Sequence, residues 1–200
     1  YSFALSRADA RKQAIINEAN AIGTAFLRAD LAPEPSRTEL RVALRDYAQS
    51  RVAHQATTGT RANLQKTLAR SLEIQSELWP LTSRMVKGGY SGPISALIVQ
   101  SINEVIDMHT VRYAVSQDRL PGAVFGMMLF IAAASLFITG FSASTQGRFK
   151  RWRLVFLSLV LAAVITVITD FDRGRSGLVR LSQQSIIDLI QDMNAELSKK

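Results

Sequence analysis

Chemistry needs particular side chains at particular spacings, and this chain of 200 residues offers few of them. It has no cysteine and two histidines. Thiolate nucleophiles, structural disulfides, Cys-ligated zinc and iron–sulfur clusters are therefore excluded. No G-x-S-x-G, H-E-x-x-H, P-loop or G-x-G-x-x-G motif is present. Two histidines without cysteines make a poor ligand set for a transition metal. Neither an enzyme nor a bound cofactor is expected.

Three charged or titratable side chains stand out because of where they project. His109 and Arg112 fall on the apolar face of a helix, with Ile98, Ile102 and Val105. Asn103, Asp107 and Thr110 form the polar row of the same helix. A buried arginine must be paired. Glu18, near Ile22 and Ala25 and beside Asn17 and Asn20, is the acidic partner expected for Arg112. Glu18, Asn20, Asn103, Asp107, His109 and Arg112 are thus the candidate pore or polar network. They suit either an ion or proton path or an interhelix hydrogen-bond network that fixes packing, and the second reading is favoured. Asp170-Phe171-Asp172 is a weak metal candidate. Aspartates two apart in an extended turn can share Ca²⁺, yet that cation takes about six to eight oxygens and nothing adjacent supplies them. His54 lies in a polar stretch and receives no role.

The elements that must position these residues follow from charge and hydropathy. The net charge is +8. Residues 1–119 carry 15 basic and 11 acidic side chains, which is +4, and residues 170–200 carry five of each. Residues 120–169 carry no acid and four bases: Arg148, Lys150, Arg151 and Arg153. These four separate two uncharged runs, Leu120–Gly147 and Leu154–Thr169. As a helix the first run would reach about 42 Å, more than the hydrocarbon core of a bilayer at about 30 Å. The second reaches about 24 Å and needs Trp152, Phe171 or local thinning to span. The pair reads as a membrane hairpin, and the basic loop as its topology signal. The charge is therefore no evidence for a nucleic-acid partner. Gly122-x-x-x-Gly126 is a small-xxx-small pair of the kind that lets helices approach closely. Phe130, Phe137 and Phe141 share a stripe read as a lipid or helix contact.

Elsewhere the spacing is helical throughout. Residues 7–31 read as one helix with Ile15, Ile16, Ala19, Ile22, Gly23, Phe26 and Leu27 on one face, ended by Pro33 and Pro35. Ser36-Arg-Thr-Glu39 reads as a capping box for a second helix carrying Leu40, Ala43, Leu44, Tyr47 and Val52. A third runs to Trp79-Pro80, and Lys87–Pro93 breaks the chain. A fourth spans 94–118, with Ile94, Ile98, Ile102, Val105 and Ile106 on one side. A final amphipathic helix holds Val179, Ile186, Leu189, Ile190 and Met193. Tyr1–Leu5 reads as the end of a helix that begins upstream, with one or more spans preceding it.

Three blocks resemble a known family. Arg7–Lys12 with Asn17–Leu31, Asn103–Arg112, and Asp170–Gln184 look like the conserved blocks of the bacterial bestrophin-like domain family. The likeness covers nearly the whole chain, and the first and third blocks are specific. The family usually has two spans before the first block. Bestrophins themselves, more distantly similar, are pentameric chloride channels with four spans per subunit and a helical cytosolic region. Their pore neck precedes the segment resembling Tyr1–Asn20, so only its lower end, around Tyr1–Leu5, would fall here. Their calcium clasp is an acidic run after the last span. Here Arg173 and Arg175 intrude on that run, and calcium gating is not expected. The likeness would put residues 1–119 in the cytoplasm, whereas the basic loop favours the opposite orientation, towards which the reading leans slightly.

The expected architecture is all-α and membrane-integral. Residues 1–119 form an extramembrane bundle, 120–171 a transmembrane hairpin, and 172–200 an amphipathic helix packed on the bundle. Two spans fall in this fragment and four are expected in the full protein, multi-pass in the inner membrane. The expected function is that of a bestrophin-like, oligomeric, anion-conducting channel or channel-related protein. The alternative is a non-conducting scaffold or regulator acting through its bundle. The expected partners are the bilayer, further copies of the chain (a pentamer if truly bestrophin-like) and inorganic ions.

Overall fold

The computed structural model describes residues 2–56, 61–118, 121–145, 151–172 and 182–199. Every regular element among them is an α-helix: α1 (Ser2–Ala29), α2 (Ser36–Ala56), α3 (Arg61–Lys87), α4 (Pro93–Gln117), α5 (Gly122–Thr145), α6 (Arg151–Asp172) and α7 (Gln184–Leu197). The all-α expectation is met. The chain divides into two compact units, one of Tyr1–Asp9 and Gln117–Leu181, the other of Ala10–Ser116 and Ser182–Lys200.

The first unit is dominated by α5 and α6, which pack against each other. One helix of the structure is long and apolar enough to cross a membrane, while Val155–Thr169 within α6 is a shorter apolar helix. Met127, Phe130, Ile131, Phe137 and Ile138 are exposed around α5, with Phe130 and Phe137 each 73% accessible. Helices that display large apolar groups on every side suit a membrane or a larger assembly better than water. A methyl group at Gly122 or Gly126 would meet nothing within 4 Å among the described residues, so within this chain neither glycine brings a described helix close. Phe137 and Phe141 do stack, at 6.3 Å between centroids. Also in this unit, Arg7 pairs with Asp118 at 3.5 Å.

The second unit is a helical bundle whose core is built on α1. Its alanines 14, 19, 21, 25 and 29 are buried together with Ile15, Ile22 and Phe26. Small side chains on that face let neighbouring helices come close. Gly23 shows this directly, since a Cβ there would sit 3.2 Å from Leu189 Cδ1 of α7. Leu27, expected on the buried face, is 62% exposed, because the buried stripe passes through Ala25, Phe26 and Ala29 instead. Helix α4 lies antiparallel to α1. Arg11 Nε donates to the carbonyl of Val115 at 3.5 Å, and Arg28 Nη1 to that of Leu97 at 3.2 Å. The buried face of α4 comprises Ser95, Ile98, Ser101, Ile102, Val105, His109 and Arg112, while Ile94 is exposed. Helix α2 packs on α3 and on α7, and α7 buries Ile186 and Met193.

Two local expectations are corrected. Ser36 is not the cap of α2: the Thr38 amide donates to Glu34 Oε2 at 3.3 Å and the Glu39 amide to the Pro35 carbonyl at 3.1 Å. A carboxylate at that end also complements the helix dipole. Helix α3 does not stop at Trp79-Pro80 but continues to Lys87 with Pro80 inside it. Pro80 has no amide proton for the Ser76 carbonyl. Leu78, Thr82 and Met85, buried on one face, hold the turns on both sides of the proline against the core, so tertiary packing overrides the local cost. The helix ends where Gly89, at φ +100°, adopts a backbone that L side chains rarely take.

Candidate functional site

The most heavily charged part of the bundle interior lies where α1, α2 and α4 meet. Glu18 on α1 has no solvent exposure. Its Oε2 accepts a short hydrogen bond from Arg112 Nη1 on α4. Its Oε1 accepts from the Tyr47 hydroxyl on α2 at 2.7 Å and lies 2.9 Å from Arg51 Nε, one turn further along α2. The Tyr47 oxygen is also 2.9 Å from His109 Nδ1. A hydroxyl has one proton, and Tyr47 gives it to Glu18. His109 Nδ1 is therefore the donor in the second bond, which fixes the neutral imidazole with Nε2 unprotonated.

Sequence and burial together explain how these groups come into contact. Tyr47 and Arg51 follow Leu40 and Leu44 along the same stripe of α2, and all four are buried. His109 and Arg112 extend the α4 stripe of Ile98, Ile102 and Val105. Each helix thus adds polar side chains to the end of an apolar stripe, and the apolar packing carries them inside. An isolated ion at such a place would cost several kcal/mol, and ionic partners with good hydrogen bonds offset that cost.

The electrostatics are one-sided. Burial pushes the Glu18 carboxyl up, but the charges of Arg51 and Arg112, with hydrogen bonds from Arg112 and Tyr47, outweigh it and hold the group below its ordinary range. Burial and the Glu18 charge push the Tyr47 hydroxyl well above its ordinary value. Burial and the neighbouring Arg51 charge lower His109 to about 4. Burial draws Arg112 down as well, although the Glu18 carboxylate works against it. At neutral pH the cluster therefore holds an ionised Glu18, two guanidiniums, a neutral histidine and a neutral tyrosine. Such a set does not exchange protons near pH 7; it ties three helices together by charge.

Of the six residues expected to form a polar network, the structure brings together Glu18, His109 and Arg112, including the pairing expected for Glu18 with Arg112. Asn20, Asn103 and Asp107 are exposed and take no part. They occupy the outer faces of α1 and α4, where short polar side chains are readily solvated. The spacing along α2 marks Tyr47 only as an apolar position and gives Arg51 no role. Arg51 carried the same signal as Arg112, a cation continuing an apolar stripe at helical spacing. A second buried arginine was also missed. Arg41 pairs with Asp30 at 2.7 Å and with Glu196 of α7 at 2.6 Å, and lies 4.2 Å from the centroid of the Phe26 ring.

The remaining expected sites are less informative. Among the described residues no group of three or more His, Asp or Glu side chains could hold a metal ion. Asp170 and Asp172 fall in the last turn of α6, so the extended backbone on which the calcium reading depended is helical here. Their side chains lie outside the described residues, as do those of Arg151 and Arg153 at the start of α6. Arg148 and Lys150 lie outside the described residues altogether, as does Val179.

No curated protein and no solved structure matches this chain. The family model described as "Bestrophin-like domain" matches residues 1–186, which takes in the first compact unit, most of the second and the whole buried cluster. On that match, the chain belongs to the bestrophin-like domain family.

Proposed function

We propose that this protein is a subunit of an oligomeric, multi-pass membrane channel or channel-related protein that carries anions. Family membership supports a channel-related role. The observation that carries the membrane part is α5, whose large side chains are exposed on every side. On this reading α5 and α6 form a hairpin in the inner membrane, with lipid and further copies of the chain, a pentamer by likeness, covering their apolar surface. The second unit forms an extramembrane bundle. Glu18, His109 and Arg112 hold the helices of that bundle in register.

One observation favours a second reading, a non-conducting scaffold: Glu18, Tyr47 and His109 are buried inside a single bundle. Anion efflux from liposomes containing the purified protein separates the two. Chloride release above that of protein-free liposomes is expected. Absence of release at every pH and calcium concentration tried would rule out the channel.

A further inference from the structure

The outward side of α3 carries an apolar stripe that the bundle leaves open. Leu72, Trp79 and Val86 are 45%, 46% and 36% exposed. They recur every seven residues, so they fall on one narrow stripe of the helix, beside the buried face of Leu78, Thr82 and Met85 and not on it. Four residues after Leu72 and Trp79 come Ser76 and Ser83, small side chains that let a facing helix approach. Glu73, Arg84 and Lys87, all exposed, run along the edge of the stripe away from the buried face. Apolar side chains exposed at heptad spacing, with charges beside them, have the pattern of a coiled-coil seam.

We propose that this seam pairs with the same seam of a second copy of the chain, antiparallel, about a two-fold axis at Trp79. The sequence is self-complementary about that position. Leu72 lies seven residues before it and Val86 seven after, so each leucine faces a valine and the two Trp79 rings meet at the centre. Glu73 lies six residues before it and Arg84 five after, which sets the acid of each copy against the cation of the other, with Lys87 close behind. An in-register parallel pair would instead set Glu73 on Glu73 and Arg84 on Arg84. Within one copy these side chains have exposed partners, Glu73 with Arg70 at 2.8 Å and Arg84 with Glu39 at 3.4 Å, and exposed pairs of this kind hold weakly and rearrange readily. A bilayer surface suits the seam less well. Interfacial helices carry a mostly basic polar face, whereas here two acids, Glu73 and Glu77, flank the centre. A one-helix seam about 21 Å long buries less than the roughly 1,600 Å² of a standard interface, so the pairing is weak and concentration-dependent. This inference does not rest on conduction, and a protein that passes no current can still pair.

The chain has no cysteine, so introduced ones report alone. Ser76→Cys and Ser83→Cys are made separately in the purified protein. About a two-fold at Trp79, position 76 of one copy faces 82 of the other, one residue from 83. Like positions stand about 9–12 Å apart along the axis, beyond the reach of a disulfide. Mixing the two variants under mild oxidation is expected to give about five-fold more disulfide-linked dimer than either variant alone. Adding Trp79→Lys to both is expected to abolish that excess with the circular dichroism spectrum unchanged, since Trp79 is nearly half exposed. Equal dimer in the mixture and in the separate variants, no dimer in the mixture, or an excess retained with Trp79→Lys would each overturn the proposal. Quenching of Trp79 fluorescence by brominated phosphatidylcholine in liposomes, read in Trp152→Phe, would assign the seam to lipid and overturn it as well. Chloride release from liposomes reports separately on conduction, so failure of one reading leaves the other distinguishable.

Discussion

Removing the Glu18 carboxylate should be the most damaging single change in the bundle. In Glu18→Ala, Arg112 and Arg51 lose the carboxylate they share, and the Tyr47 hydroxyl loses its acceptor. Breaking a buried ion pair by removing one partner costs about 3–5 kcal/mol. The lost tyrosine bond, itself to a charged group, would be about 2 kcal/mol alone. The two losses share one carboxylate and do not add fully, so a total of about 4 kcal/mol is expected. Against a typical domain stability of about 5–15 kcal/mol, that leaves a marginal fold. It corresponds to a fall of about 12 °C in the melting midpoint for a chain of this size. Circular dichroism at 222 nm on the purified protein measures it. A double swap separates charge pairing from packing. Glu18→Arg alone places three cations together and Arg112→Glu alone places two acids together, whereas the double variant restores one acid between two cations. It should recover more than half of the stability lost in the worse single variant. A cost below about 1 kcal/mol for Glu18→Ala, or a double swap no better than Glu18→Arg, would refute the pairing as the tie between α1 and α4.

His109 gives a pH signature. Its folded pKa is lowered to about 4, against about 6.5 in an unfolded chain. The unfolded chain takes up the proton first, so stability is full above pH 6.5 and is lost as pH falls towards 4. Denaturation midpoints between pH 6.5 and 5, above the range in which Glu18 titrates, should show the slope in wild type and lose it in His109→Phe. Gly23→Leu should push α7 off its seat, because even a Cβ at that position meets Leu189 Cδ1 at 3.2 Å. A cost of about 2 kcal/mol and faster proteolysis within 184–197 are expected, with partial rescue by Leu189→Ala. Arg41→Ala should cost about 2 kcal/mol through its two carboxylates and the Phe26 ring. Asp30 and Glu196 are about half exposed, so part of that cost should shrink in 1 M salt, as urea titrations at low and high salt would report.

Much of the fold was legible because apolar spacing at period 3.6 fixes both the type of an element and its buried face. The Glu18–Arg112 pairing was legible for a sharper reason. A charged residue on an apolar stripe has to find its opposite, and few acids lie on such stripes. Asn20, Asn103 and Asp107 carried no such constraint; proximity in sequence to Glu18 or His109 says nothing about sharing a face. Arg51 escaped notice because the α2 stripe was closed at Val52, one residue on, which hid a cation at the next buried position. Pro80 misled for the opposite reason. A proline is a strong local signal, but Leu78, Thr82 and Met85 form a non-local one that outweighs it. Leu27 shows that a helical projection fixes the stripe only to within about one residue until its neighbours are known.

Glu196 reaches back 155 positions to Arg41, and Leu189 closes over Gly23. During synthesis, therefore, α1 and α2 leave the ribosome long before the helix that covers them, with the whole apolar hairpin made in between. Until residues 184–197 emerge, the Gly23 groove and the Arg41 guanidinium stay uncovered in the nascent chain. Completion of this core is consequently a late event, placed after the synthesis of α5 and α6. A stalled or prematurely terminated product would carry an exposed groove that quality-control proteases and chaperones recognise.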